Sequence, residues 1–191
     1  MKIVFLLVAA LVAAVPGRAA AQELIRNGRF EDSLDYWTVE YNNAQGSWEV
    51  SAGPDYHPDP DNELYVMKSY QYYARARQAA SVSSTELLFA GSARLAAMTG
   101  GTSGYYAYAT LALEYQDAGG VLLGRTMFIH KAGSCTLATT PTQHVVEVDS
   151  GVWNDFELLV DAELDGLPGI NRNDIARVAV VLESYGTGRT G

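Results

Sequence analysis

A chain of 191 residues with 48% apolar side chains can bury one substantial core and leaves little room for a second domain. Its 22 acidic residues outnumber 13 lysines and arginines, for a formal charge of −9, and such a surface repels phosphate backbones and anionic lipid. Charge therefore argues against nucleic acid and membrane surfaces as partners and leaves neutral glycans open.

Met1 and Lys2 lead into the apolar run IVFLLVAALVAAV, followed by Pro16-Gly17 and Arg18-Ala19-Ala20-Ala21. A basic start, an apolar stretch too short for a comfortable membrane span and a small-residue site, in that order, predict an export signal over residues 1–21, cut before Gln22. A retained N-terminal anchor is the competing reading. Cleavage leaves 191 − 21 = 170 residues, and losing Lys2 and Arg18 brings the charge to 11 − 22 = −11. Residues 22–191 are thus expected to form one exported domain, secreted or periplasmic, with no membrane insertion. Cys135 is the only cysteine, so no intramolecular disulfide can brace it. In KAGSCTLATT it reads as a partly buried small hydrophobe more readily than as a reactive thiol.

Residues 24–37, LIRNGRFEDSLDYW, carry the densest pattern of the mature chain. Asn27-Gly28 favours positive φ and a chain reversal. Phe30 follows as a buried anchor, Glu31 as an acidic partner and Trp37 after a short polar loop.

Beyond this point nearly every apolar stretch alternates and is closed by Gly, Asn, Asp or Ser, which predicts strands separated by turns. Strands are expected near 37–41, 47–52, 63–70, 73–82, 87–98, 105–115, 121–130, 145–149, 152–164 and 175–185. The segment LDGLPGINRNDIA reads as a loop or at most one helical turn. That many strands in one domain imply a two-sheet sandwich. Alternation also sorts the faces: Tyr105, Ala107, Ala109, Leu111, Leu113 and Tyr115 point inward, while Tyr106 and Tyr108 share the opposite side. Phe156, Leu158, Val160 and Ala162 form a second inward row, and Ala176, Val178, Val180 and Leu182 a third.

The opening pattern of Asn27-Gly28, Phe30-Glu31 and Trp37 resembles the first strand of jelly-roll carbohydrate-binding modules in the galactose-binding-like superfamily. Later segments fit the same family in order: Gln78–Val82, Leu87–Ala97, the strand and turn of Leu111–Gly124, Trp153-x-x-Phe156, and Ala176–Gly188. The resemblance spans about residues 23–188. It implies an all-β fold, a two-sheet antiparallel β-sandwich of jelly-roll, galactose-binding-like type. Members usually finish with an aspartate-bearing strand that pairs with the first and helps the opening Glu bind a structural calcium ion, a role that falls to Glu31 here. The sequence runs out at YGTGRTG without that strand. A domain cut short of its last strand is the expectation, with an edge managed in some other way as the alternative.

Eight of the twelve tyrosines lie between residues 65 and 115. A sugar offers an apolar C–H face and a rim of hydroxyls, so its site needs flat aromatic platforms edged by amide, carboxylate or guanidinium groups. Tyr70, Tyr72, Tyr73, Arg75, Arg77, Gln78, Tyr106 and Tyr108 would form such a groove if their strands share a sheet. Tyrosines are also ordinary strand formers, and half-buried rings are the plain alternative. In DYHPDPDNE, Asp55, Asp59, Asp61 and Glu63 alternate but lack the glycine and distal glutamate of an EF-hand, so a solvated acidic loop is expected. His57, His130 and His144 have no metal-ligand spacing, no Gly-x-Ser-x-Gly elbow frames a nucleophile, and no carboxylate pair stands out for glycoside hydrolysis. The sequence thus points to a secreted, non-catalytic domain that binds a polysaccharide or oligosaccharide. The alternative is a structural or adhesive β-sandwich of a cell envelope without glycan specificity.

Overall fold

The computed structural model describes residues 6–8, 23–42, 46–54, 62–100 and 104–188. The acidic stretch 55–61 of DYHPDPDNE lies outside the described residues. Eleven strands dominate the described residues: β1 (Leu6–Val8), β2 (Thr38–Tyr41), β3 (Trp48–Gly53), β4 (Glu63–Lys68), β5 (Gln71–Ser81), β6 (Leu88–Arg94), β7 (Tyr106–Gln116), β8 (Leu122–Gly133), β9 (Gln143–Glu147), β10 (Trp153–Leu159) and β11 (Arg177–Thr187). They form a five-stranded sheet in the order β10-β6-β1-β4-β3 and a six-stranded sheet in the order β2-β5-β11-β7-β8-β9. Every pairing is antiparallel except β8 with β9.

The two sheets share one core. Leu64, Val66, Phe89, Ala93 and Phe156 from the first meet Ala74, Ala76, Leu111, Leu113, Phe128, Val180 and Leu182 from the second. Of the inward rows expected, Ala107, Ala109, Leu111, Leu113 and Tyr115 of β7 and Val178, Val180 and Leu182 of β11 are within this core, whereas Tyr105 and Ala176, each just ahead of its strand, are half-buried and outside it. Period-2 alternation works here because each strand has one face on apolar neighbours.

Three local expectations are corrected. The run expected as one strand over 152–164 is strand only to Leu159, and Val160–Asp165 turns into a helix, α1. Helical spacing buries Val160 and Leu164 together, four residues apart, and leaves Ala162 exposed instead of in the core. The opening segment 25–36 is a series of turns and no strand, with Asn27, Phe30, Ser33 and Tyr36 at φ of +50°, +56°, +56° and +71°. Asn27 organises it. Its Nδ2 donates to the Ser33 and Asp35 carbonyls at 2.9 and 3.3 Å, and its Oδ1 accepts from the Asp32 N–H at 3.1 Å. The Trp37 indole N–H donates to the Asn27 carbonyl at 3.3 Å, and Phe30 and Trp37 pack with ring centroids 5.2 Å apart. Both aromatics are buried in the main core, as the sequence leads one to expect.

The backbone of β1 lies between β4 and β6, pairing Leu6 with Tyr65 on one side and with Arg94 on the other. These residues fall within the apolar run read as an export signal, so cleavage before Gln22 would withdraw this strand. Two facing strand edges would then lose their N–H and C=O partners. A chain starting at Gln22 is therefore expected to melt at a lower temperature than the full-length chain in calorimetry. Equal midpoints would show that β1 adds nothing to the fold.

Candidate functional site

The outward face of the six-stranded sheet gathers most of the residues proposed from sequence. Cross-strand register sets Tyr185 between Tyr73 and Tyr108, Arg75 beside Glu183, and Arg77 beside Val181. Edge strand β2 adds Thr38 opposite Arg77 and Glu40 opposite Arg75. Directly paired side chains of this kind are within contact distance.

Charge on this face is neutralised in a chain of pairs. Arg75 donates to Glu40 Oε2 from Nε at 3.1 Å and from Nη2 at 2.5 Å, and its Nη1 lies 3.5 Å from Glu183. The Arg75 guanidinium also sits 5.0 Å from the Tyr73 ring centroid. Arg77 stands farther from Glu40, at 3.7 Å, and from Glu114, at 4.0 Å. Tyr108 donates its hydroxyl to Glu183 Oε1 at 2.7 Å. Burial pushes the Glu183 carboxyl above its ordinary range, against the opposing pull of Tyr108, Arg75 and Arg125. Burial first, then the charge of Glu183, likewise raises the Tyr108 hydroxyl.

Tyr73, Arg75, Arg77, Tyr106 and Tyr108 thus share one face, and three other proposed residues do not join them. Gln78 points to the opposite side, is 8% exposed, and clamps the Arg26 backbone, accepting from its N–H at 2.6 Å and donating to its carbonyl at 2.8 Å. Its place in the odd-even count of β5, in phase with core residues Ala74 and Ala76, explains this. Tyr70 and Tyr72 stand exposed around the β4–β5 turn, with φ of +66° and +69°. Tyr108 has the right face but little open surface: it is 9% exposed, and its ring stacks on Tyr185 with centroids 5.0 Å apart. Tyr106 also stacks on Tyr185, at 5.8 Å, and remains half-buried.

The β8 side of the face is covered. Cys135 and Leu137 fold back onto Met127 and Ile129, and Lys131 Nζ donates to the Leu137 carbonyl at 2.9 Å. Cys135 is accordingly half-buried, the packing role expected of it. On the β2–β5–β11 side the face is open, and a groove of about 420 Å³ runs beside Tyr36, Glu40, Arg77 and Arg177.

Tyr185, Glu183, Glu40, Tyr36 and Arg177 belong to this surface and were not proposed from sequence. For β11 the signal existed: an inward row of Val178, Val180 and Leu182 makes Arg177, Val181, Glu183 and Tyr185 outward by complement. Tyr36 carried none, because its direction comes from a positive-φ loop residue.

Glu31, the residue to which the family resemblance assigns calcium, is exposed on the opening turns. Among the described residues no three His, Cys, Asp or Glu side chains group as metal ligands. His130 Nδ1 accepts the Ala97 N–H at 2.9 Å, and His144 bonds Glu163 at 2.6 Å, so each has a structural partner. No helix among the described residues is long and apolar enough to cross a membrane. Comparison with protein-family models and with curated proteins returns no match to this chain.

Proposed function

We propose that this chain is a secreted, non-catalytic carbohydrate-binding domain of jelly-roll, galactose-binding-like type, which docks on a polysaccharide through the outward face of its six-stranded sheet. The observation that carries the reading is the composition of that face. Tyr73 presents a half-buried ring beside Arg75, Tyr106 presents another against Tyr185, and an open groove lies farther along the same face beside Glu40 and Arg77. Aromatic area next to paired hydrogen-bonding groups on a rigid sheet is what a sugar's two-sided chemistry requires. The export signal proposed for residues 1–21 places such a domain where polysaccharides are met.

Open sugar sites bury little area and replace hydrogen bonds already made with water, so dissociation constants in the micromolar-to-millimolar range are expected. Calorimetry against plant, algal and bacterial polysaccharides is the test. Tyr73→Ala and Tyr106→Ala should each weaken binding by roughly three- to tenfold, the worth of an aromatic contact, with little change in melting temperature. Binding indifferent to both substitutions, or no binding at all, would favour a structural or adhesive sandwich, a reading to which the mutual stacking of Tyr106, Tyr108 and Tyr185 lends some support.

A further inference from the structure

Away from Tyr73 and Tyr106, the outward face ends in the groove of about 420 Å³. Tyr36 and Glu40 stand on one side, Gln116, Gly120 and Arg177 on the other, with Ala79 between them. Small residues at Ala79 and its register partner Ala179 keep this part of the sheet low. Past Tyr36 the groove continues into a second depression of about 360 Å³.

Several features here are not used by the fold. Gln116 is 1% exposed, and its Nε2 donates to Glu114 at 2.9 Å, but its Oε1 accepts no hydrogen bond. A buried amide oxygen without a donor is uncommon and costs free energy, so it calls for an explanation. Among the described residues, Arg177 has no carboxylate within ion-pair distance. That is unusual in a chain whose acids outnumber its bases 22 to 13. Gly120, at φ +83°, lies between these two groups: a Cβ there would stand 3.0 Å from Arg177 Nη1 and 3.9 Å from Gln116 Oε1. The missing side chain lets the Arg177 guanidinium lie close against this turn, with Gln116 in the same wall of the groove. Across the groove, Tyr36 is 61% exposed and its ring is held by the Arg26 guanidinium at 5.4 Å.

We propose that this groove is a subsite for a carboxylated sugar, a uronate residue within a polysaccharide. Arg177 takes the carboxylate, and Tyr36 meets the ring's apolar face. A planar guanidinium matches a carboxylate in two parallel hydrogen bonds. Glu40 and Glu114 nearby repel any further anion, and a dianionic phosphate about twice as strongly as a single carboxylate. The inference rests on the carbohydrate-binding reading above and deepens it by naming the ligand class.

The test compares polygalacturonate, alginate and glucuronoxylan with the carboxyl-reduced, neutral form of each, by calorimetry at low salt. At least one native polymer should bind about tenfold more tightly than its reduced form, the worth of a charge-assisted hydrogen bond. Arg177→Gln should bring the two forms to within about twofold without shifting the melting temperature, and Tyr36→Ala should weaken both alike. Equal affinity for native and reduced forms, or a preference that survives Arg177→Gln, overturns the subsite and leaves the carbohydrate-binding reading standing. Failure to bind any native or reduced polymer overturns that reading, and the subsite with it.

Discussion

Phe30→Ala is expected to lower the unfolding free energy by about 3–5 kcal/mol, the range for truncating a fully buried aromatic. Phe30 is 0% exposed and packs on Trp37 within the core that both sheets share, so the vacated space would be bordered by side chains fixed from two sides. Its backbone is tied as firmly: the Phe30 N–H donates to the Asn27 carbonyl at 3.2 Å, and the Phe30 carbonyl accepts the Ser33 N–H at 3.1 Å. Alanine would keep the cost of φ +56° while losing the packing that offsets it. Chemical denaturation of the two proteins measures the difference. An unchanged midpoint would mean that the opening turns do not anchor the fold.

Tyr108→Ala is expected to destabilise the protein by a similar amount, about 3–5 kcal/mol, because the ring is buried against Tyr185. Its mirror-image control is Tyr108→Phe, which keeps the ring and removes only the hydroxyl bonded to Glu183. Leaving that buried carboxyl without its donor should cost about 1–3 kcal/mol. The pH dependence fixes the mechanism. Glu183 has its carboxyl pKa raised by burial, so the native state holds a proton that the unfolded chain has released. Its contribution is therefore most favourable at and below the ordinary carboxylate range and declines as pH rises through the elevated pKa. Removing the Tyr108 hydroxyl raises that pKa further, and the Phe variant should lose stability more steeply than wild type as pH climbs out of the carboxylate range. Parallel stability-versus-pH curves would show that Tyr108 acts on Glu183 through packing alone. Either way, Tyr108 is a poor position for testing ligand contact, and Tyr73 and Tyr106 are the better ones.

Alternation along β7 was enough to assign Ala107, Ala109, Leu111, Leu113 and Tyr115 to the core, because a strand offers only two faces and apolar side chains fill the buried one. The same logic put Tyr106 and Tyr108 together on the other face. It also fixed the all-β class, since turn residues close each run before a helix could nucleate. What alternation could not supply is how open a face is. Tyr185, 185 − 108 = 77 residues away along the chain, covers Tyr108, and the return of Cys135 and Leu137 covers β8; both depend on which strands become neighbours. Gln78 shows the limit at one residue's scale: one place along β5 separates it from Arg77, and the pleat sends it inward to the Arg26 backbone. The switch at Val160 from strand to helix escaped for a related reason, since Val160 and Leu164 satisfy a helical spacing while Phe156 and Leu158 satisfy a strand spacing, and an apolar run that fits both periods is resolved only by what it packs against. The groove between Tyr36 and Arg177 is tertiary throughout. A positive-φ loop, the start of the last strand and a glycine turn converge there from three distant parts of the chain, and no local pattern encodes where such parts meet.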